Sequence, residues 1–197
     1  MFDDSDIRKN QYIHGIGLLL QRIRESTIQK YKVIVIDNTG VKLESYLHSP
    51  DYDVFYTYNN GLWTSNKGRK ELQDIFDCIQ HYCIRDTDFI VKMTGRYKIQ
   101  ESSEFMTVIR DIEHVPYDCV IKYGSYSHPV DYKVNDCITG LIGMSCYYVK
   151  QIQMPEENEC LEWKWAEVTQ QMDDRNIYMV RTLGVEICPA SNSYFLV

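Results

Sequence analysis

The sequence lacks the features that mark several large classes of protein. It carries 21 Lys and Arg residues against 28 Asp and Glu residues, a formal net charge of −7, so it has no basic surplus of the kind that nucleic-acid binders use. No apolar run approaches the roughly 20 residues that cross a bilayer. The acidic start, Met-Phe-Asp-Asp-Ser-Asp, does not fit a secretory signal. We therefore expect a cytoplasmic protein without a membrane span or a nucleic-acid partner.

Patterns of metal ligands and disulfides are also missing. The seven cysteines include no Cys-x-x-Cys pair, and the five histidines include no His-x-x-x-His pair. An odd number of cysteines, most of them within apolar runs, is typical of buried free thiols in a reducing compartment. We expect neither a disulfide framework nor a resident metal.

The apolar patterns that are present predict a single α/β domain over residues 1–197. No internal repeat or low-complexity linker divides the 197 residues. The patterns predict strands at Lys32–Asp37, Val54–Tyr58, Asp88–Met93, Cys119–Tyr123, Cys137–Ile142 and within Ile177–Ile187, and helices from Ile7 to about Arg24, from near Gly68 to Cys83 and from roughly Glu159 to Met172. This alternation favours a three-layer fold with a mixed central sheet.

Polar residues follow several of the predicted strands, where ligands bind in open α/β sheets. Asp37 ends the first strand and is suited to accept hydrogen bonds from a nucleobase or a ribose, although an Asx turn explains it equally well. Asn66-Lys67-Gly68 begins a predicted helix, whose free amides attract a diphosphate. A plain N-cap at Asn66 is the alternative there.

Two cations mark the end of the third predicted strand. Lys92 lies inside an apolar run, and Arg96 follows Thr94-Gly95 directly after it. Arginine grips phosphate oxygens with a planar fork, so this segment predicts an anion site. The alternative is an edge strand whose charges are solvated.

Acidic residues crowd the start of the last predicted helix. Glu162 is followed closely by Trp163 and Trp165, and Glu159 precedes it by three residues. A carboxylate beside aromatic walls is suited to act as a general base. Negative charge is also favourable at any helix start, so a solvated helix face is the alternative.

In their order and spacing, these motifs resemble the GT-A glycosyltransferase superfamily, in particular short glycosyltransferase-like proteins of large DNA viruses and some microbes. The likeness runs from about Lys32 to Ile187. It implies a GT-A-like α/β/α sandwich and, if the protein is viral, a location in the host cytoplasm. The donor would be held by Asp37, Asn38, Asn66, Lys67, Gly68, Lys92, Thr94, Gly95 and Arg96, the acceptor side would be Asp136, Thr139 and Gly140, and the catalytic base would be Glu162 or Glu159.

One departure from that family concerns metal. The family's Asp-x-Asp, which holds a divalent ion on the diphosphate, is replaced at the end of the third strand by Lys92-Met-Thr-Gly-Arg96. An Asp-x-Asp does occur at Asp86 and Asp88, but it precedes the strand and is predicted at the opposite edge. We therefore do not expect manganese or magnesium, and we expect the two cations to supply the positive charge.

The resemblance implies an enzyme that moves a hexose or pentose from a nucleotide sugar to a hydroxyl of a glycan or glycoprotein, with inversion. The alternative is a non-catalytic nucleotide- or glycan-binding module of the same shape. Donor hydrolysis by the purified protein separates the two, since transferases commonly leak sugar to water.

Overall fold

The computed structural model describes residues 4–41, 47–115, 117–126, 130–187 and 194–197. Within these ranges the chain is a mixed α/β protein with a mixed sheet and helices. The helices are α1 (Asp4–Glu25), α2 (Lys67–His81), α3 (Glu104–Arg110), α4 (Cys146–Val149) and α5 (Leu161–Thr169). The strands are β1 (Ile34–Asp37), β2 (Asp53–Tyr56), β3 (Phe89–Met93), β4 (Lys98–Ile99), β5 (Cys119–Ile121), β6 (Leu141–Ser145), β7 (Ile177–Met179), β8 (Val185–Ile187) and β9 (Phe195–Leu196).

The three predicted helices are confirmed as α1, α2 and α5, although α5 is shorter than Glu159–Met172. It begins after the extended Cys160. It ends in tight turns, because the amides of Gln171 and Met172 bond to carbonyls three residues back, as in a 3₁₀-helix. The short helix α3, capped by the Ser103 hydroxyl, was not predicted, since seven residues show little periodicity.

The strands of the described residues form three sheets. β1 and β2 pair in parallel, and β4, β8 and β9 form an antiparallel sheet. The central sheet has the order β3-β6-β5-β7, in which β6 is antiparallel to both neighbours and β5 is parallel to β7. β3, β5 and β7 therefore run in one direction. Their carboxyl ends share one edge with the amino end of β6, and we call it the carboxyl edge.

Two sequence predictions about these strands were wrong. The predicted strand Cys137–Ile142 begins instead at Leu141, and Cys137 makes only an isolated bridge to Tyr123. Residues 137–146 are a run of mostly apolar and small side chains, and such a run does not mark where the strand within it begins. The expectation that the predicted strands share one central sheet also fails, since β1 and β2 form a sheet separate from β3. Strand order depends on long-range pairing, which local patterns do not contain.

The core lies on both faces of the central sheet. Alternation along β5 directs Cys119 and Ile121 to one face and Val120 to the other. The first face packs against apolar residues of α2 and α5, such as Leu72 and Trp165. The second face packs against α3 and β8. The sheet is thus covered on both sides, and its carboxyl edge stays available for polar residues.

Helix α1 packs against the turn that follows β3. A methyl group added at Gly15 would lie 2.3 Å from the Gly95 carbonyl oxygen and 2.8 Å from the Tyr97 carbonyl oxygen. Two residues further along the same helix, a methyl group added at Gly17 would meet nothing within 4 Å. The helix backbone therefore touches the turn at Gly15, and this turn contains Arg96.

We expect opposite effects from alanine at these two glycines. Gly15→Ala should lower the free energy of unfolding by about 1–3 kcal/mol, because its methyl group overlaps backbone atoms. Gly17→Ala should raise it by about 0.5–1 kcal/mol, since alanine favours helix and the space is open. Urea unfolding of both variants checks this. Equal stability of the two would show that α1 does not seat on the turn.

Candidate functional site

The centre of the candidate site is Lys92, near the end of β3. Its ammonium group forms an ion pair with Glu71 of α2 and donates a hydrogen bond to the Thr139 carbonyl oxygen at 2.5 Å. The Lys92 side chain is only 12% exposed. β3 is an edge strand of the central sheet in the described residues, yet its lysine is not solvated. The interpretation of Lys92 as a solvated edge charge is therefore wrong.

A hydrogen-bonded chain continues from Lys92 to the start of α5. The Thr139 hydroxyl donates to Glu162 Oε1 at 3.1 Å, and the Cys137 thiol donates to the Glu162 carbonyl oxygen at 3.2 Å. Glu71, Lys92, Thr139 and Glu162, which we call the edge cluster, thus link two helices to the carboxyl edge. The structure brings three of the predicted residues together and adds Glu71, which the sequence analysis missed.

Asp136 accompanies the edge cluster. It lies at the surface, where neighbouring atoms remove part of the hydration of its carboxylate. This desolvation, with a smaller contribution from the negative charge of Glu162, raises the pKa of Asp136, while a hydrogen bond from the Cys137 amide opposes the shift. Two carboxyl groups close enough to influence each other are common where protons are transferred.

Arg96 lies in the turn after β3. The turn is held by hydrogen bonds from the Thr94 amide to the Gly140 carbonyl oxygen at 2.8 Å and from the Tyr97 amide to the Thr94 carbonyl oxygen at 2.9 Å. Arg96 Nε is buried without a hydrogen-bond partner, and Arg96 forms no ion pair with any residue that the structure describes. A guanidinium group without an acid partner is suited to bind an oxygen anion.

The glycines at this edge allow close packing. The Tyr97 ring lies on Gly140, since a methyl group there would be 2.3 Å from Tyr97 Cε2. The Tyr97 hydroxyl bonds to Tyr126, and burial raises the pKa of Tyr97. Gly95 packs in the same way under the Tyr12 ring. The contacts of Gly140 and Gly95 are therefore with the protein's own rings, and their predicted ligand roles stay predictions.

The start of α2 already holds a carboxylate from the chain itself. Glu157 accepts hydrogen bonds from the Thr64 hydroxyl at 2.5 Å and the Ser65 hydroxyl at 3.0 Å, and these bonds lower the pKa of Glu157. Asn66 is the N-cap, and its amide group donates to the carbonyl oxygens of Glu156 and Glu159. A diphosphate at this helix start would have to compete with Glu157.

The other two residues predicted at this helix start differ in exposure. A methyl group added at Gly68 would lie 2.7 Å from Leu161 Cβ, so this glycine lets α2 approach α5 closely. Lys67 is exposed at the helix surface. Of the three residues predicted to hold a diphosphate here, Lys67 alone has a side chain that points to open solvent.

Asp37 and Asn38 belong to a different polar network. Asp37 accepts hydrogen bonds from the amide and the hydroxyl of Thr39, which is the Asx-turn alternative of the sequence analysis. Asn38 donates to Asp74 of α2 at 3.0 Å. Asp74 is buried and also accepts from Thr57 at 2.5 Å and Asn59 at 2.8 Å. Asp74 therefore ties the ends of β1 and β2 to α2.

Two acidic residues of α2 were not predicted from the sequence, Glu71 of the edge cluster and Asp74 of the network at the ends of β1 and β2. A lysine inside an apolar strand requires a counter-charge when it is buried. That rule could have directed attention to Glu71 on the neighbouring helix. Asp74 lies between Leu72 and Ile75 on the apolar side of the helix, which is a signal of a buried carboxylate that needs donors.

The second predicted base, Glu159, has other partners. Its carboxylate accepts from the Glu156 amide at 2.8 Å and pairs with Lys164 at 2.8 Å. These bonds, the amide first, lower the pKa of Glu159. No side-chain contact joins Glu159 to the edge cluster within the described residues. Of the two candidates, Glu162 is the one that the geometry connects to Lys92.

The described residues contain no group of three or more His, Cys, Asp or Glu side chains arranged to hold a metal ion. Asp86 and Asp88 lie before β3, at the edge opposite the candidate site, and pair with Lys150 and Arg85. The six cysteines in the described part of the chain are free. None of the helices described here is long and apolar enough to cross a bilayer.

Comparison of the chain with protein-family models, with curated proteins and with solved structures found no match. The fold and the candidate site together therefore define a mixed α/β protein with a polar cluster at the carboxyl edge of its central sheet.

Proposed function

We propose that the protein is a glycosyltransferase that moves a sugar from a nucleotide-sugar donor to a hydroxyl group of a glycan or glycoprotein, with inversion. One observation carries the proposal. Arg96 has no acid partner among the residues that the structure describes. It lies at the same sheet edge as Glu162, whose carboxylate is linked by hydrogen bonds through Thr139 to a largely covered lysine. A cation for a leaving diphosphate and a base for an acceptor are the two groups that such a transfer needs.

Each group has a defined role in the proposed reaction. Glu162 takes the proton of the acceptor hydroxyl as the oxygen forms its bond to the anomeric carbon. The bond from that carbon to the diphosphate oxygen breaks, and the diphosphate leaves with the electron pair. Arg96 stabilises the negative charge that develops on the diphosphate. The Thr139 hydroxyl holds Glu162 in place, so the base is oriented before the acceptor arrives.

The fold is compatible with this proposal at a coarse level. Helices α2 and α5 cover one face of the central sheet, and α3 and β8 cover the other. A GT-A-like three-layer sandwich is our finer interpretation, and it belongs to the proposal. Ligands of open α/β sheets bind beyond the carboxyl ends of the strands, which is where the edge cluster lies.

A specific observation favours the alternative, a binding module without catalysis. The charge of Lys92 is compensated by Glu71, and the start of α2 is filled by Glu157. Fewer free cations then remain for a leaving group. A protein with this arrangement would bind the nucleotide or the glycan without breaking the donor.

A nucleotide-sugar screen followed by a hydrolysis assay tests the proposal. Uridine or guanosine diphosphate sugars should raise the Tm, because a ligand at 100 times its Kd adds about 2.7 kcal/mol of stability. Purified protein should then release free sugar, with and without manganese and with chelator. Binding without release would favour the binding module. If no nucleotide sugar shifts the Tm, both the glycosyltransferase and the nucleotide-binding module are contradicted.

A further inference from the structure

Three apolar side chains are exposed together in the segment between β2 and α2. Trp63 is fully exposed, Tyr58 is 73% exposed and Leu62 is 40% exposed. We call these three residues the aromatic tip. Single exposed apolar residues are ordinary, but three of them within positions 58–63 of one short segment indicate an interaction site.

The backbone of this segment is held firmly on both sides of Trp63. On the amino side, Asn59 donates to Asp74 and Asp77, and Lys70 donates to the Asn60 carbonyl oxygen at 2.7 Å. On the carboxyl side, the hydroxyls of Thr64 and Ser65 bind Glu157. The exposed rings are therefore presented on an anchored backbone, which lowers the entropy cost of binding a partner.

The anchors also tie the aromatic tip to the segment that leads into α5. Glu157, which holds Thr64 and Ser65, precedes α5 and its Glu162 by a few residues. At the other side, the Tyr58 ring lies on Gly40, next to the end of β1, since a methyl group there would be 2.7 Å from Tyr58 Cε1. The segment that carries the aromatic tip is thus hydrogen-bonded to the residues that lead into α5.

The size and the charge of the aromatic tip indicate which class of partner it can bind. Two aromatic side chains and a leucine offer roughly 500 Å², at about 150–250 Å² for each aromatic ring, which is less than the roughly 800 Å² per partner of a stable protein interface. The net charge of −7 disfavours nucleic acid. The nearby Glu157 and Lys70 are already bonded within the chain. A small and neutral partner with flat apolar faces fits best.

We propose that the aromatic tip binds a neutral oligosaccharide by stacking of sugar rings on Trp63 and Tyr58, and that this is the acceptor surface of the enzyme. Sugar rings combine an apolar C–H face with hydroxyl groups at the rim, which matches the apolar body and polar tip of tyrosine and tryptophan. The inference deepens the proposed function and rests on it for assigning the glycan as acceptor.

The test is retention on an array of neutral glycans by the full chain and by three variants. Trp63→Ala should lower retention by about 10-fold or more, since a stacked tryptophan is a typical binding anchor. Tyr58→Ala should lower it to a smaller degree. Tyr147→Ala is the control, because Tyr147 is an exposed aromatic residue, 54% exposed, that lies in α4 after β6, away from the carboxyl edge. Its retention should equal that of the unchanged protein.

Every result of this test either supports or overturns the inference that the aromatic tip binds a glycan. The inference is overturned if no neutral glycan retains the unchanged protein, if Trp63→Ala is retained equally, or if Trp63→Ala changes only self-association in sedimentation. Nucleotide-sugar thermal shifts, measured in parallel, separate the two proposals. Trp63-dependent glycan retention without nucleotide binding leaves a glycan site and removes the transferase. Nucleotide binding with Trp63-independent retention removes the aromatic tip alone.

Discussion

Glu162→Gln is expected to slow sugar transfer by about 100-fold or more, while the affinity for the donor stays nearly unchanged. The reason is that general-base help contributes about 100- to 10,000-fold to rates of this kind. Glutamine keeps the shape of the side chain and its hydrogen bond from the Thr139 hydroxyl, but it cannot take a proton from the acceptor. Initial rates of transfer and donor titrations on the same preparations check both parts.

Two further glutamates of the same region serve as comparisons. Glu167→Gln removes a charge from the exposed face of α5, where Glu167 contacts Lys164 at 3.5 Å, and should leave the rate unchanged. Glu159→Gln tests the second predicted base. Normal transfer by Glu162→Gln together with loss in Glu159→Gln would move the catalytic role to Glu159. Loss of donor affinity in step with the rate would make Glu162 a binding residue.

Arg96→Ala is expected to weaken donor binding by about 10- to 150-fold with little change in protein stability. Hydrogen bonds to charged groups contribute about 1.5–3 kcal/mol, and each 1.4 kcal/mol is tenfold in Kd. Because Glu71 compensates the charge of Lys92, Arg96 is the cation of this edge whose charge has no acid partner in the described structure. Its removal breaks no ion pair with the residues described here, so the free energy of unfolding should change little.

Calorimetric titration with uridine and guanosine diphosphates measures the effect on affinity. Arg96→Lys keeps the charge but not the planar fork, so it should recover only part of the binding. Arg85→Ala is the control, since Arg85 pairs with Asp88 before β3, at the opposite edge. If Arg96→Ala binds diphosphate normally and unfolds more easily, then Arg96 serves the fold, and the anion site lies elsewhere.

The contacts of the edge cluster explain why effects on activity and binding should be separable from effects on stability. The ion pair between Lys92 and Glu71 joins β3 to α2, and the bond from Thr139 to Glu162 joins the turn before β6 to α5. The Lys92 side chain is largely covered, whereas that of Glu71 is 42% exposed, so removing Glu71 leaves a poorly hydrated charge and should destabilise the fold. Glu162 and Arg96 lie outside that ion pair, so their substitution reports on chemistry and binding more than on stability.

Local patterns sufficed for some elements because their cause is local. Apolar spacing predicts α1, α2 and α5, and the β-branched residues of 33–36 predict a strand that is confirmed as β1. The same patterns failed from 137 to 146, where the apolar run is longer than the strand. They also failed at α3, which is too short to show a period.

By itself, the sequence determined the mixed α/β class, the free thiols of the described cysteines, and the cations that end β3, since each depends on composition or on neighbouring residues. Only the tertiary structure decided which groups meet. Glu71 reaches Lys92, Glu157 fills the start of α2, and β1 and β2 leave the central sheet. These contacts join residues up to 93 positions apart. Long-range packing determines these partners, and the spacing of residues along the chain does not reveal them.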